Sequence, residues 1–122
     1  MRIFKFKSVA RYCRKVGIDD GQLLGALHDL SAGLIDANLG GDVYKQRIAR
    51  KGGGKSGGYR AILVVKVEHR CVFVHCFAKN EAESISAEML EEFRRLGRLF
   101  MALDEGKIDD AIETGRVVEF ST

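Results

Sequence analysis

The sequence predicts an α+β fold: an N-terminal helical hairpin packed on a small antiparallel sheet, then a C-terminal helix and an edge strand. Three observations carry this expectation. Residues 59–67 alternate, with Tyr59, Ala61, Leu63, Val65 and Val67 on one face and Arg60, Ile62, Val64 and Lys66 on the other. Residues 9–16 and 23–30 carry apolar side chains at helical spacing. Residues 71–78, CVFVHCFA, are apolar on both faces, the mark of a central strand covered from both sides. Segments 43–49, 59–67 and 71–78 should then run as consecutive antiparallel strands.

The elements follow in order. Residues 2–7 alternate, with Phe4 and Phe6 on a shared face, which suits a short strand. Ser8 is the expected N-cap of a helix with Val9, Tyr12, Cys13 and Val16 on its apolar face, ended by Gly17. Asp19 or Asp20 caps a second helix with the stripe Leu23, Leu24, Leu27 and Leu30, ended by Gly33. Asn38-Leu-Gly-Gly reads as a loop. In 43–49, Lys45 and Arg47 face one way and Tyr44 and Ile48 the other. After the turn Glu68-His69-Arg70 and the strand 71–78, Ser84 or Ser86 caps a helix with the stripe Met89, Phe93, Leu96, Phe100 and Leu103. The tail reads as one helical turn and a final edge strand around Val117.

A chain of 122 residues has the length of one domain, and 46% hydrophobic content is enough for a core. The net charge of +3 conceals an asymmetry: residues 1–80 hold fifteen Lys/Arg against six Asp/Glu, and residues 81–122 hold five against eleven. The basic part is the expected nucleic-acid face, and the acidic part is expected to stay away from RNA. Between Val43 and Arg60 stand six cations (Lys45, Arg47, Arg50, Lys51, Lys55 and Arg60) and no acid, with five glycines among them. Such a unit can bring several positive charges to one polyanion, RNA foremost. The glycines alone would make a hairpin loop, one expected to order poorly without RNA, but they leave the cations unexplained.

Other chemistries fit less well. Gly54-Lys55-Ser56 resembles the end of a phosphate-binding P-loop, but the first glycine of that pattern falls on Ala49, and a strand rather than a helix follows. The three cysteines, Cys13, Cys71 and Cys76, form no CxxC pair. Cys71 and Cys76, five apart in a strand, should point to opposite faces, and no metal site or cofactor is expected. Reduced thiols in a cytoplasmic protein are the expectation. With Arg2, Lys5 and Lys7 breaking its apolar start, no signal peptide is expected, and no apolar run approaches the ~20 residues that span a bilayer.

GKSGGYR at 54–60, VYKQRIAR upstream, FAKNE at 77–81 and the tail GRVVEF resemble the HigB-type branch of the RelE/ParE toxin superfamily. The resemblance covers nearly the whole chain in the same order of elements. It implies a RelE-like fold and the toxin of a type II toxin–antitoxin pair. It also implies ribosome-associated cleavage of mRNA without a metal, and a cognate antitoxin of helix-turn-helix type. ParE-like relatives share the fold and inhibit DNA gyrase without catalysis. An inactive RNA-binding module is the third reading.

Metal-free RNA cleavage uses the ribose 2′-OH as an internal nucleophile. It needs a base for that proton, an acid for the leaving 5′-oxygen, and cations for the phosphorane charge. Lysines amid other cations can exchange protons, and the arginine fork suits phosphate oxygens. By the resemblance, Lys45 and Arg47 match the family's basic pair, Arg60 its strand arginine at the scissile phosphate, and Lys79 a further basic residue at the end of the next strand. These four are the expected catalytic set. Arg50, Lys51, Lys55 and Tyr59 are expected to contact RNA, although a core position is the commoner role for such a tyrosine. The chain departs from the family's pattern in lacking a C-terminal tyrosine: the tail is Glu119-Phe120-Ser121-Thr122. His69 and His75 match no family motif, and are expected in a turn and in the core.

Overall fold

The computed structural model describes residues 1–50, 58–79 and 85–120. Strand β1 (Arg2–Phe6) leads directly into α1 (Lys7–Val16) and α2 (Asp20–Ser31). Four strands follow: β2 (Ala37–Gly40), β3 (Val43–Ile48), β4 (Tyr59–Lys66) and β5 (Arg70–Ala78). The chain ends with α3 (Ala87–Ala102), α4 (Glu105–Glu113) and β6 (Val117–Glu119). The sheet order is β2-β3-β4-β5-β1-β6.

Strands β3 to β5 form the expected antiparallel run and β2 joins it antiparallel to β3, but the whole sheet is mixed, because β1 lies parallel to β5. Strand β5 is apolar on both faces and gains a neighbour on each edge, β4 on one side and β1 on the other. Strand β6 then pairs antiparallel with β1.

The helices cover both faces. On one, α1 lies over β5 and β1 while α2 lies over β3. The strand expected at 2–7 does precede the helices, as β1, but the two helices of the expected hairpin rest on different parts of the sheet. Their side packs Val9, Cys13, Leu23 and Leu27 against Ala61, Leu63 and Phe73. On the other face, α3 and α4 pack Phe93, Phe100 and Ile108 against Phe4, Val43, Ile62, Val64 and Val72.

Local chemistry explains the ends of the elements. Helix α1 starts at Lys7 rather than after a Ser8 cap, and Phe6 at its N-cap offers no side-chain bond. The Lys7 N–H donates instead to the Arg116 carbonyl at 3.0 Å, so the approach to β6 satisfies the helix start. Asp19 and Gln22 form a reciprocal capping box on α2. Ser86 caps α3, accepting from the Met89 N–H. The single helical turn expected in the tail is the nine-residue α4, capped by Asp104.

Three further expectations are corrected. Asn38-Leu-Gly-Gly is not a loop: residues 37–40 form β2, which turns into β3 through Gly40, Gly41 and Asp42, all at positive φ. Cys71 and Cys76 do not face apart. A bulge in β5 leaves Val74 unpaired between Phe73, opposite Leu63, and His75, opposite Ile62. Val74 and His75 both turn toward α3, the alternation resets, and Cys71 and Cys76 lie on the α1 side with Cys13. The apolar stripe of α3 also differs, since Met89 is exposed and the buried position is Gly97. A Cβ there would stand 2.8 Å from Val64 Cγ1, so the missing side chain lets α3 approach β4.

Candidate nucleic-acid interface

The strand pairing gathers cations on the α3 side of the sheet. Arg47 on β3 is directly opposite Arg60 on β4, which is opposite Phe77 on β5. One row inward, Lys45 is opposite Ile62, which is opposite His75. Lys79, two residues beyond Phe77, lies one row outward, where its N–H donates to the Gly58 carbonyl at 3.0 Å. Rows two residues apart are separated by about 7 Å. The arginine row therefore lies between Lys45 and Lys79. Burial falls away in the same direction along β3: Val43 is buried, Lys45 half-buried and Arg47 exposed.

Like charges directly across a strand pair repel. One acid moderates this pair: Asp36 Oδ2 stands 3.4 Å from Arg60 Nε. The Arg60 side chain is only 12% exposed, and its Nη1 also donates to its neighbour's carbonyl, that of Tyr59, at 3.3 Å. Among the described residues, Lys45, Arg47 and Lys79 make no ion pair with a carboxylate.

Beside this row opens a cleft of about 710 Å³, lined by two acids, Asp29 and Asp36, by Arg47, Arg50 and Arg60, and by Ile48 with the exposed Leu34 and Ile35. Gln22 Nε2 donates to the Ala49 carbonyl at 2.9 Å and ties the end of β3 to α2. The cleft holds an apolar lining beside three guanidinium groups, an arrangement suited to a phosphodiester with its sugar or base attached.

The expected residues divide as follows. Lys45, Arg47, Arg60 and Lys79 share one face, and Arg50 lines the adjoining cleft. Tyr59 does not share it: the ring turns to the opposite face and meets Tyr12 edge-on, with centroids 6.1 Å apart. Lys51 and Lys55, and the expectation about the order of the glycine loop, fall outside the described residues.

Sequence reasoning missed two members of the site. Asp36 reaches Arg60 only because β2 pairs with β3, and nothing local announces that. His75 sits on the cationic face, stacked on Phe77 and Phe93 at 5.7 and 5.5 Å. It is half-buried and has no hydrogen-bond partner among the described residues, so it is not the satisfied core residue expected. Burial lowers its pKa below the ordinary histidine value and keeps the ring neutral at neutral pH. His69 is in the expected turn, within 3.2 Å of the Met101 carbonyl. Among the described residues, no three His, Cys, Asp or Glu side chains gather where they could hold a metal ion. No helix there is long and apolar enough to cross a membrane.

Residues 1–120 match the family described as the RelE toxin of the RelE/RelB toxin–antitoxin system. The chain belongs to the RelE toxin family. No curated protein matches it. Membership places the chain on the toxin side of a toxin–antitoxin pair, with a cognate antitoxin as its partner.

Proposed function

We propose that this RelE-family chain is a HigB-type toxin that stops translation in the cytoplasm by cutting mRNA on the ribosome, without a metal. Toxins of this family are generally endoribonucleases. The observation that carries the reading is the row Arg47–Arg60 flanked by Lys45 and Lys79, with Asp36 the one acid paired to it among the described residues.

Arg47 and Arg60 hold the scissile phosphate and take up the charge of the phosphorane. The 2′-oxygen bonds to phosphorus, and the bond from phosphorus to the 5′-oxygen breaks. An in-line displacement puts the entering and leaving oxygens on opposite sides of phosphorus. Lys45 and Lys79 stand on opposite sides of the arginine row, so one accepts the 2′-OH proton and the other supplies a proton to the 5′-oxygen. Arg50, Lys51 and Lys55 bind the flanking backbone. The antitoxin is of helix-turn-helix type.

The test is cleavage of message on programmed ribosomes in the presence of EDTA, run beside a gyrase supercoiling assay. Cut message with unaffected supercoiling is the expected result. Loss of supercoiling with intact message would make the protein a gyrase poison of the ParE kind. Ribosome binding with neither effect would make it an inactive RNA-binding module.

A further inference from the structure

Asp36 is the carboxylate paired with Arg60, and the fold holds it with unusual care. The buried Gln46 side chain, 2% exposed, accepts from the Asp36 N–H at 2.8 Å. Its amide nitrogen donates to the Leu34 carbonyl at 3.0 Å and the Ala26 carbonyl at 3.2 Å. One buried amide thus fastens the middle of α2 and the segment before β2 onto β3. A buried amide with all its bonds made gives a single, well-defined position for the backbone it holds.

The way Asp36 meets Arg60 is also specific. The closest approach, an ion pair at 3.4 Å rather than a hydrogen bond, is to Nε, the side of the guanidinium, and not to the paired terminal nitrogens. Nη1 reaches the Tyr59 carbonyl, and Nη2 makes no hydrogen bond among the described residues. A carboxylate standing in for a phosphate would take the fork. A carboxylate at Nε orients the group and leaves Nη2 for a ligand. Without Asp36, Arg60 would stand across from Arg47 with no carboxylate among the described residues paired to either.

We propose that Asp36, set in place by Gln46, is a positioning residue that aims Arg60 at the scissile phosphate. The inference rests on the nuclease reading above. Positioning and simple charge balance make opposite predictions. Removing an acid from a cleft that binds a polyanion strengthens binding on electrostatic grounds. If Asp36 only offsets charge, cleavage rises with binding. If Asp36 positions Arg60, cleavage falls while binding holds or tightens.

The experiment compares wild type, Asp36→Asn, Asp36→Glu and Asp36→Ala on ribosomes programmed with message, measuring binding and single-turnover cleavage separately. The expected result is cleavage slowed about tenfold or more in Asp36→Asn and Asp36→Ala, with binding equal or tighter, melting unchanged, and partial recovery in Asp36→Glu. The backbone N–H that Gln46 accepts from survives in all three variants, so the fold should survive too. A second readout is independent of activity. Rotation about the Arg60 Nε–Cζ bond, read from its guanidinium 15N resonances, should be hindered in wild type and freer in Asp36→Asn. Unchanged or faster cleavage in Asp36→Asn overturns the proposal, as does a guanidinium equally hindered in both proteins. If wild type itself cuts no message, the nuclease reading fails, and the resonances still decide whether Asp36 fixes Arg60.

Discussion

The same face of the same sheet carries two cross-strand arginine pairs, and they have opposite surroundings. Arg2 faces Arg70 across the parallel β1–β5 ladder, and Arg47 faces Arg60 across β3–β4. The first pair is answered by acids of the C-terminal segment. Arg2 donates to both oxygens of Glu119 at 2.8 Å and to Glu105 at 2.5 Å, with Asp109 at 3.9 Å. Arg70, 2% exposed, donates to Glu105 at 2.9 Å and to the Phe100 carbonyl at 3.0 Å. Among the described residues the second pair has Asp36 as its one paired acid, with Lys45 and Lys79 adding charge nearby. Positive charge is consumed at one end, where it fastens α4 and β6 to the sheet, and left over at the other. The acidic C-terminal segment therefore has a structural use, and its charge is in part what confines the basic field to the β3–β4 end.

The sharpest way to break this contrast is to delete one arginine from each pair. Arg60→Ala should slow message cleavage about a hundredfold or more, corresponding to about 2–4 kcal/mol of transition-state stabilisation. Its melting should change by no more than about 1 kcal/mol. Arg70→Ala should do the reverse. It strips a buried partner from the Phe100 carbonyl and empties the space over the Phe100 ring, at a cost of about 2 kcal/mol or more in stability. The fraction that stays folded should cut at the wild-type rate. Cleavage assays paired with thermal melts decide. Equal cleavage by wild type and Arg60→Ala would remove Arg60 from the site.

How much of this could be read in advance depends on how local each signal is. Strict alternation in 59–66 marks β4 and the face of Arg60. Lys45 and Arg47 follow from the same rule on β3, so the basic row was legible. The unread features are non-local. Strand β2 contains Asn38 and Gly40, poor strand formers, and exists because it pairs with β3. Asp36 acquires its partner through that pairing. The bulge at Val74 upset the parity of Cys71 against Cys76, since period-2 counting fails across an inserted residue. Arg2 and Arg70 meet through a parallel contact between segments nearly seventy residues apart, which no periodicity announces. Gly97 looks like a flaw in a helix until Val64 stands beneath it.

The contrast can be sharpened with salt. Affinity for single-stranded RNA should fall with rising salt, with a slope of about 0.7 per phosphate neutralised. Lys45→Ala, Arg47→Ala and Lys79→Ala should each weaken binding several-fold at low salt and reduce the slope by about that amount. Arg2→Ala, already paired to carboxylates, should leave the slope unchanged. Binding isotherms over a salt series, with Arg2→Ala as control, measure this. A slope equally reduced in Arg2→Ala would mean that the paired end also binds RNA.

The smallest expected effect lies in acid titration of the paired end. Arg2 holds the Glu119 carboxyl below its ordinary pKa, and Arg70 does the same for Glu105 with help from Arg2. A group whose folded pKa is depressed releases its proton more readily in the folded state. Its stabilisation is complete above the unfolded value near 4.5 and is lost as pH falls through the lower, folded value. Glu119→Gln should therefore lower the melting temperature slightly at neutral pH and flatten its decline below pH 4.5. Cleavage at neutral pH should be untouched, because Glu119 stands on β6, at the far edge of the sheet from β3. Both carboxyls are largely solvated, so the shift should be small beside that of Arg70→Ala. Melting curves for wild type and Glu119→Gln across this range give the answer, and identical acid profiles would show that the Arg2–Glu119 pair contributes nothing to holding the C-terminal strand.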